Sequence, residues 1–289
     1  MRDGAPGRCP GGARGGIQVM SAHPPRTDIL CTFLDAEDTL PRTLDSLARQ
    51  TEAAIRVWLV DDGSRDASAR IAADRASADP RFTAVTSPVH GRGHALNHGA
   101  SLGSAPFLAI MDADDLAHPR WIEDALAAMG RQEGIAAMGF GRQYLYGPAE
   151  PTWPTDAHET SRLDDVTARL GRTNPVCHSG SVIRRGAFQS VGGYDDGRTS
   201  NFDYDLWVRL AMARYRLANN SLVRVGKRYH AGQKFSHRPG FYRSSLEVQA
   251  RAIRQVSRNP ADWIPYLSRA VLFAFRSRRR AFAAGRHGR

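Results

Sequence analysis

The chain has 289 residues, 42% hydrophobic and 24% charged, enough for a self-sufficient core and unlike a disordered or collagenous composition. Its net charge of +11 sits at the two ends: residues 1–26 carry +3, residues 251–289 carry +9, and residues 27–250 carry −1. That distribution excludes a uniformly basic nucleic-acid-binding domain.

Residues 1–26 are rich in Gly, Pro and Arg, lack periodicity, and read as a disordered basic tail; Met20 is a second candidate start. From Thr27 the pattern alternates. Residues 29–34 are a short apolar strand. Residues 39–50 carry Leu40, Leu44 and Leu47 at helical spacing. A second strand spans 55–60, then a helix spans 67–78 with Asp66 as its expected N-cap. A third strand at 82–86 leads through Gly91 and Gly93 into a helix at 94–102. Residues 106–111 form a nearly continuous apolar strand, and 119–131 a helix with Pro119 at its first position. This rhythm predicts an α/β fold, an open, twisted, mostly parallel sheet with helices on both faces. Ligands of such sheets bind beyond the carboxyl ends of the strands.

The second half is less regular. Residues 135–146 read as extended and 147–165 as loop, and 182–191 runs from strand into helix. A helix is expected at 204–214, a strand at 222–229 and an amphipathic helix at 240–257. Beyond these, Trp263, Ile264, Leu267, Val271, Leu272 and Phe275 make an apolar stripe that runs into Arg276, Arg278, Arg279 and Arg280. The stripe fits peripheral contact with an anionic membrane through 263–280, and equally a helix docked on the body of the protein. No run approaches the ~18 apolar residues of a spanning helix, and the first residues lack the apolar stretch of a secretory leader. A cytoplasmic protein is expected, with association at the inner face of the cell membrane left open. Cys9, Cys31 and Cys177 have no disulfide or zinc spacing.

Two strands end in acids. The second runs into Asp61-Asp62-Gly63-Ser64, the fourth into Asp112-Ala113-Asp114-Asp115. Five carboxylates crowded on one rim repel one another unless neutralised. Mg²⁺ or Mn²⁺, held by hard oxygen ligands together with substrate phosphates, is the natural partner, so a diphosphate ligand is implied. Asp62 is a candidate acceptor for a base N–H or a sugar hydroxyl. Arg92, in a loop that opens a helix, is a candidate anion contact. That loop lacks the third glycine of a dinucleotide fingerprint, and no P-loop, G-x-S-x-G, H-E-x-x-H or kinase signature occurs.

Nine pieces stand in order over about residues 27–240: C-T-F-L-D-A-E-D, T-L-D-S-L-A-R-Q, V-D-D-G-S-R-D, G-H-A-L-N-H-G, M-D-A-D-D-L-A-H-P, G-S-V-I-R-R, V-G-G-Y-D, F-D-Y-D-L-W-V-R-L and Y-H-A-G-Q-K-F-S. Together they resemble family 2 glycosyltransferases, inverting enzymes of the GT-A fold. The resemblance implies a GT-A domain over 27–250 with an Arg-rich helical extension at 251–289. It implies a nucleotide-diphosphate sugar donor, most commonly UDP-linked, and a Mn²⁺ or Mg²⁺ cofactor. Thr32, Asp35 and Asp62 would line the nucleotide pocket. Asp114 would bind the metal, and Asp112 the ribose or the metal. Asp203 matches the catalytic base, and His230 stands where the family often has a histidine near the diphosphate. Asp203 as a helix cap, His230 as a core histidine and Trp153 as either a packing or a sugar-stacking residue remain alternatives. His178 and His237 are weaker candidates. Departures are Asp35 where Asn is usual, Phe202 where an acid usually precedes the base, and the absence of Q-x-x-R-W, which argues against a processive synthase. Competing readings are a nucleotidyltransferase, which would want a basic Gly-rich loop after the first strand, and a non-catalytic nucleotide-binding protein.

Overall fold

The computed structural model describes residues 24–154, 161–229 and 240–286, with side chains described through residue 274. In its first half β1 (Thr27–Phe33), β2 (Ile55–Asp61), β3 (Phe82–Thr86) and β4 (Phe107–Ile110) alternate with α1 (Leu40–Ala48), α2 (Ser68–Ala78) and α3 (Arg92–Leu102). The strands pair in parallel in the order β3-β2-β1-β4. Register runs from Thr27 beside Ile55 to Phe33 beside Asp61, which brings the carboxyl ends of β1 and β2 level.

The second half adds β5 (Leu116–Ala117), α4 (Trp121–Gly130), β6 (Ile135–Tyr146), β7 (Leu163–Asp165), β8 (Val182–Arg184), α5 (Arg185–Ser190), α6 (Phe202–Met212) and β9 (Arg216–Tyr229). The sheet continues β4-β8-β6-β9-β5, with β7 also on β9. Strands β5, β7 and β8 are antiparallel to their neighbours and the other six share one direction, so the sheet is mixed but mostly parallel. Successive residues of β1 and β2 face opposite sides of the sheet. Ile29, Val57 and Leu59 pack with Leu44 of α1 and Trp121 of α4. Leu30, Trp58 and Val60 pack with Leu96 of α3 and Leu206 of α6. The helices therefore cover both faces, as expected.

The differences from expectation lie where polar residues occupy regular structure. β9 begins at Arg216, six residues before the expected start. Its polar run Asn219-Asn220-Ser221 is satisfied from outside the strand: Asn219 Nδ2 donates to the Pro175 carbonyl and Asn220 Nδ2 to Ser161 Oγ. α6 begins at Phe202 rather than 204, because Asn201 takes the left-handed conformation at φ +54° and turns the chain into the helix. β5 and β7 have two and three residues, too few for a periodic signal. The N-cap of α2 is Ala67, not Asp66, and has no side-chain cap bond; Asp66 instead accepts from the Ser68 and Glu37 amides and so joins two loops.

α7 (Phe241–Ala252) runs through a π-helical turn, Ile253–Ser257, toward α8 (Trp263–Arg286). α8 docks on α7: the Tyr242 and Phe273 rings lie 6.3 Å apart, and Arg269 Nη1 donates to Gln249 Oε1 at 3.3 Å. Ile264, Leu267, Val271 and Leu272 are exposed. No helix among the described residues is long and apolar enough to cross a membrane.

Candidate active site

The loops after β1, β2, β3 and β4 meet at one rim. Asp61, buried at the end of β2, accepts from the Ser64 amide at 2.9 Å and hydroxyl at 2.7 Å. Ser64 Oγ in turn accepts from the Asp35 amide at 3.1 Å, and Asp35 Oδ1 accepts from the Arg65 amide at 2.9 Å. Asp35 sits at φ +49°, a left-handed position that short polar residues tolerate. Thr32 is buried in β1 beside Val60. Asp62 Oδ1 accepts from the Gly91 amide at 2.7 Å, which ties the β2 loop to the start of α3. Gly63 has φ +91°, and a Cβ there would stand 2.3 Å from the His90 ring. Farther along α3, a Cβ on Gly99 would press on Val60 at 3.0 Å, so this glycine lets the helix lie close on β2.

Asp112, Asp114 and Asp115 follow β4, and one ligand atom from each lies within 4.8 Å of the others. Among the described residues this is the acidic cluster that could hold a metal ion, and its all-carboxylate oxygens suit Mg²⁺ or Mn²⁺. Its members differ. Asp112 pairs with Arg92, with Lys227 Nζ at 3.6 Å and His178 Nδ1 at 3.9 Å. Burial alone would raise the Asp112 carboxyl, but the Arg92 guanidinium, aided by His178 and Lys227, holds it well below the usual carboxylate range. Asp115 is fully buried, accepts from the Arg228 amide at 2.9 Å and pairs with Lys227 Nζ at 3.0 Å. Burial pushes its carboxyl up to about 6 against the pull of Lys227, and the neighbouring Asp112 and Asp114 charges add to the rise. Lys227 is held above its ordinary value: burial opposes its charge, but Asp112 and Asp115 outweigh it.

Asp203 lies in the first turn of α6, where the helix dipole favours an anion. Asn174 Nδ2 donates to its Oδ2 at 2.8 Å. No side-chain bond caps this helix, so the capping alternative for Asp203 is not what forms. Arg92, paired with Asp112, also reaches the start of α6. Its guanidinium stands 5.5 Å over the Phe202 ring. Burial disfavours its charge, but Asp112, Asp114 and Asp203 together hold it raised. The Tyr194 hydroxyl is raised by burial and then by the Asp203 charge. It lies 2.8 Å from His178 Nε2, completing a line Tyr194–His178–Asp112.

The fold thus brings Asp35, Asp62, Arg92, Asp112 and Asp114 to one edge, with Asp203 in electrostatic reach; His230 and His237 lie outside the described residues. Trp153 packs edge-on against His118, with ring centroids 5.1 Å apart. Burial pushes the Cys31 thiol up to about 12, which suits a packing residue, and Cys177 is also free. Sequence reasoning missed Lys227 and undervalued His178. Lys227 sits two residues before the Y-H piece on a strand whose register no local pattern reveals. His178 gave no signal beyond its position in a non-periodic stretch.

The family profile described as glycosyl transferase family 2 matches residues 28–192. The putative glycosyltransferase EpsE of Bacillus subtilis (strain 168) is 24% identical over 259 residues, spanning 87% of this chain and 90% of EpsE. Among solved structures, S. aureus TarS 1–349 in complex with UDP-GlcNAc superposes with a TM-score of 0.68 at 16% identity, covering 86% of this chain and 73% of that one. The mannosyltransferase PcManGT of Pyrobaculum calidifontis, in complex with GDP-Man and Mn²⁺, gives a TM-score of 0.58 at 17% identity over 86% of this chain and 70% of that one. Of the TarS chain in a further crystal structure, this chain spans 43%. The structural likenesses carry the GT-A fold, and the profile covers more than half of the sequence, including the strand-end acids. With both in hand, the nucleotidyltransferase and non-catalytic alternatives fall away, and the chain belongs to glycosyl transferase family 2 as a glycosyltransferase.

Proposed function

We propose that the protein moves a sugar from a nucleotide-diphosphate sugar, most readily UDP-linked, to an acceptor hydroxyl in one inverting, metal-dependent, non-processive step. The acceptor is a glycan, a lipid-linked sugar or a small molecule. The observation that carries this reading is the Asp112–Asp114–Asp115 cluster at the end of β4, with Arg92 paired to Asp112 and standing over the ring of Phe202, the residue before Asp203. The UDP-GlcNAc complex of TarS and the GDP-Man and Mn²⁺ complex of PcManGT support the donor and metal classes.

In this reading Thr32, Asp35 and Asp62 bind the nucleoside. Asp114 holds the metal, with Asp112 on the metal or the ribose, and His230 is a further candidate ligand. Mn²⁺ or Mg²⁺, when bound, supplies Lewis-acid stabilisation of the departing diphosphate. Arg92 and Lys227 add fixed positive charge beside it. Asp203, oriented by Asn174, accepts the acceptor hydroxyl proton. As that oxygen bonds to the anomeric carbon, the bond from carbon to diphosphate oxygen breaks and its electron pair leaves with the diphosphate. A single displacement inverts configuration.

Thermal unfolding with UDP, GDP and their sugars tests the donor and metal together. A Mn²⁺-dependent rise in melting temperature is expected, worth about 2.7 kcal/mol at a hundredfold excess over Kd. No metal-dependent shift with any diphosphate sinks the reading.

Peripheral membrane contact is the second part of the proposal. Its support is the exposed row Ile264, Leu267, Val271 and Leu272 on α8, next to a sequence that has seven arginines and no acid after residue 262. Vesicles containing phosphatidylglycerol are expected to sediment the wild-type chain and to release Leu267→Glu/Val271→Glu. Equal sedimentation of both overturns the contact.

A further inference from the structure

The rim continues along one face of the β6–β9 ribbon. These strands run parallel, with Tyr144 beside Lys227 and Tyr146 beside Tyr229. Partners in register share a face, and side chains alternate along each strand. Leu145 and Arg228, the residues between, are buried. Tyr144, Tyr146 and Tyr229 are exposed at 46%, 69% and 53%. Lys227, on the same face, reaches Asp115 at 3.0 Å and Asp112 at 3.6 Å. Two residues further along β9, about 7 Å at the rise of a strand, the tyrosines begin.

The three rings form one ordered group. Tyr229 meets Tyr144 edge-on with centroids 6.0 Å apart and Tyr146 at a tilt with centroids 5.9 Å apart. Arg142, next on that face of β6, donates from Nε to Tyr144 Oη at 2.8 Å and holds its guanidinium 5.5 Å over the Tyr144 ring. Side chains fixed this way lose little further entropy when a ligand arrives. Burial of the rings in a core does not explain them, since all three face solvent.

We propose that Tyr144, Tyr146 and Tyr229 form a carbohydrate platform that holds a saccharide acceptor beside the carboxylate rim. A pyranose ring has an apolar face of C–H groups and an equatorial edge of hydroxyls. A tyrosine row offers the complement, apolar ring faces and phenolic hydroxyls. Continuity with the rim through Lys227 puts such a saccharide next to the carboxylates at which the proposed donor would be held. The strip is small for a protein partner: three half-exposed tyrosines offer about 400 Å², against the ~800 Å² per side of a stable protein interface. The acceptor role rests on the transfer reaction proposed above, whereas saccharide binding by the rings stands by itself.

Saturation-transfer NMR on the full chain tests the platform, with maltotetraose, cellotetraose, laminaritetraose, chitotetraose and mannotetraose as probes. At least one is expected to bind. Its affinity is expected to fall about tenfold in Tyr146→Ala/Tyr229→Ala, as when an aromatic anchor is removed from a binding face. Tyr146→Phe/Tyr229→Phe keeps the rings and is expected to retain binding. Circular dichroism and an unchanged melting temperature establish that the exposed substitutions leave the fold intact. Three results overturn the proposal: no probe binds the wild type, the alanine variant binds as well as the wild type, or the alanine variant turns a dimer into a monomer. A wild type that binds saccharide but shows no response to UDP and Mn²⁺ keeps the platform and removes the donor reading, so the two failures are separable.

Discussion

Carboxylates are gathered in two places with opposite charge balance. At the end of β4, Asp112, Asp114 and Asp115 face Arg92 and Lys227, an excess of acid. On α6, Asp205 is 1% exposed and meets three cations: Arg198 at 3.2 Å, Arg209 at 2.7 Å and Arg251. The first cluster repels itself, and a divalent cation would relieve it. The second already has more base than acid, so a cation has no role there. Its effect is to join α6, α7 and the segment before α6. The two sites show how one side-chain chemistry serves reaction or architecture according to the charges the fold brings up to it.

The contrast is sharpened most by Asp203→Asn. We expect kcat to fall about 10²- to 10⁴-fold, the usual contribution of a general base. Donor binding, read by thermal shift, should persist. Transfer at near wild-type rate would mean that another group takes the proton.

Asp205→Asn should act on stability instead. Removing Asp205 leaves three partly exposed arginines without their shared anion, so the cost is expected below the ~3–5 kcal/mol of a fully buried pair. Denaturant unfolding reads this directly. The pH dependence has a definite sign. Burial raises the Asp205 carboxyl, but Arg209 and Arg251 outweigh it and hold it low. A group with a depressed folded pKa contributes stability that is complete above its unfolded value, ~3.9, and is lost as pH falls through the folded one. The wild type should therefore lose stability below about pH 4, and Asp205→Asn should lose less over that window. Identical acid limbs would place the staple elsewhere.

Asp114→Asn should leave stability in the absence of ligand nearly unchanged or raise it, since it removes a like charge from the rim. It should abolish the Mn²⁺-dependent part of the nucleotide shift. A destabilised variant would make Asp114 structural, like Asp205. The smallest effect is expected from Ser64→Ala, which removes the hydroxyl that binds Asp61 and the Asp35 amide. About 1 kcal/mol of stability is at stake there, measurable by denaturant unfolding, and a larger loss would show the loop to be more deeply coupled to the core.

Legibility in the sequence followed the range of the interactions. The β1 to β4 strands were readable because each holds a short, mostly apolar run followed by acid or polar turn residues, a pattern set within a few positions. Asp112 and Asp114 were visible for the same reason. β9 was half hidden because Asn219 and Asn220 are satisfied by Pro175 and Ser161, partners 44 and 59 positions away. The pairs of Asp205 were out of sight, since two of its three arginines, Arg198 and Arg251, lie outside α6. His178 was ranked low and Lys227 passed over because their relation to Asp112 exists only after the segment before β8 and strand β9 have been brought to the end of β4.

The amino-acid order alone therefore determined the alternation of elements, the apolar faces and which strands end in carboxylates, all consequences of periodicity and burial. It also determined that the basic excess belongs to the ends of the chain. Which cations meet which acids was decided by the tertiary structure. Charge pairing acts over a few ångströms in space with no fixed spacing along the chain, so only the folded sheet could separate an acid-rich rim at β4 from the arginine-bound staple on α6.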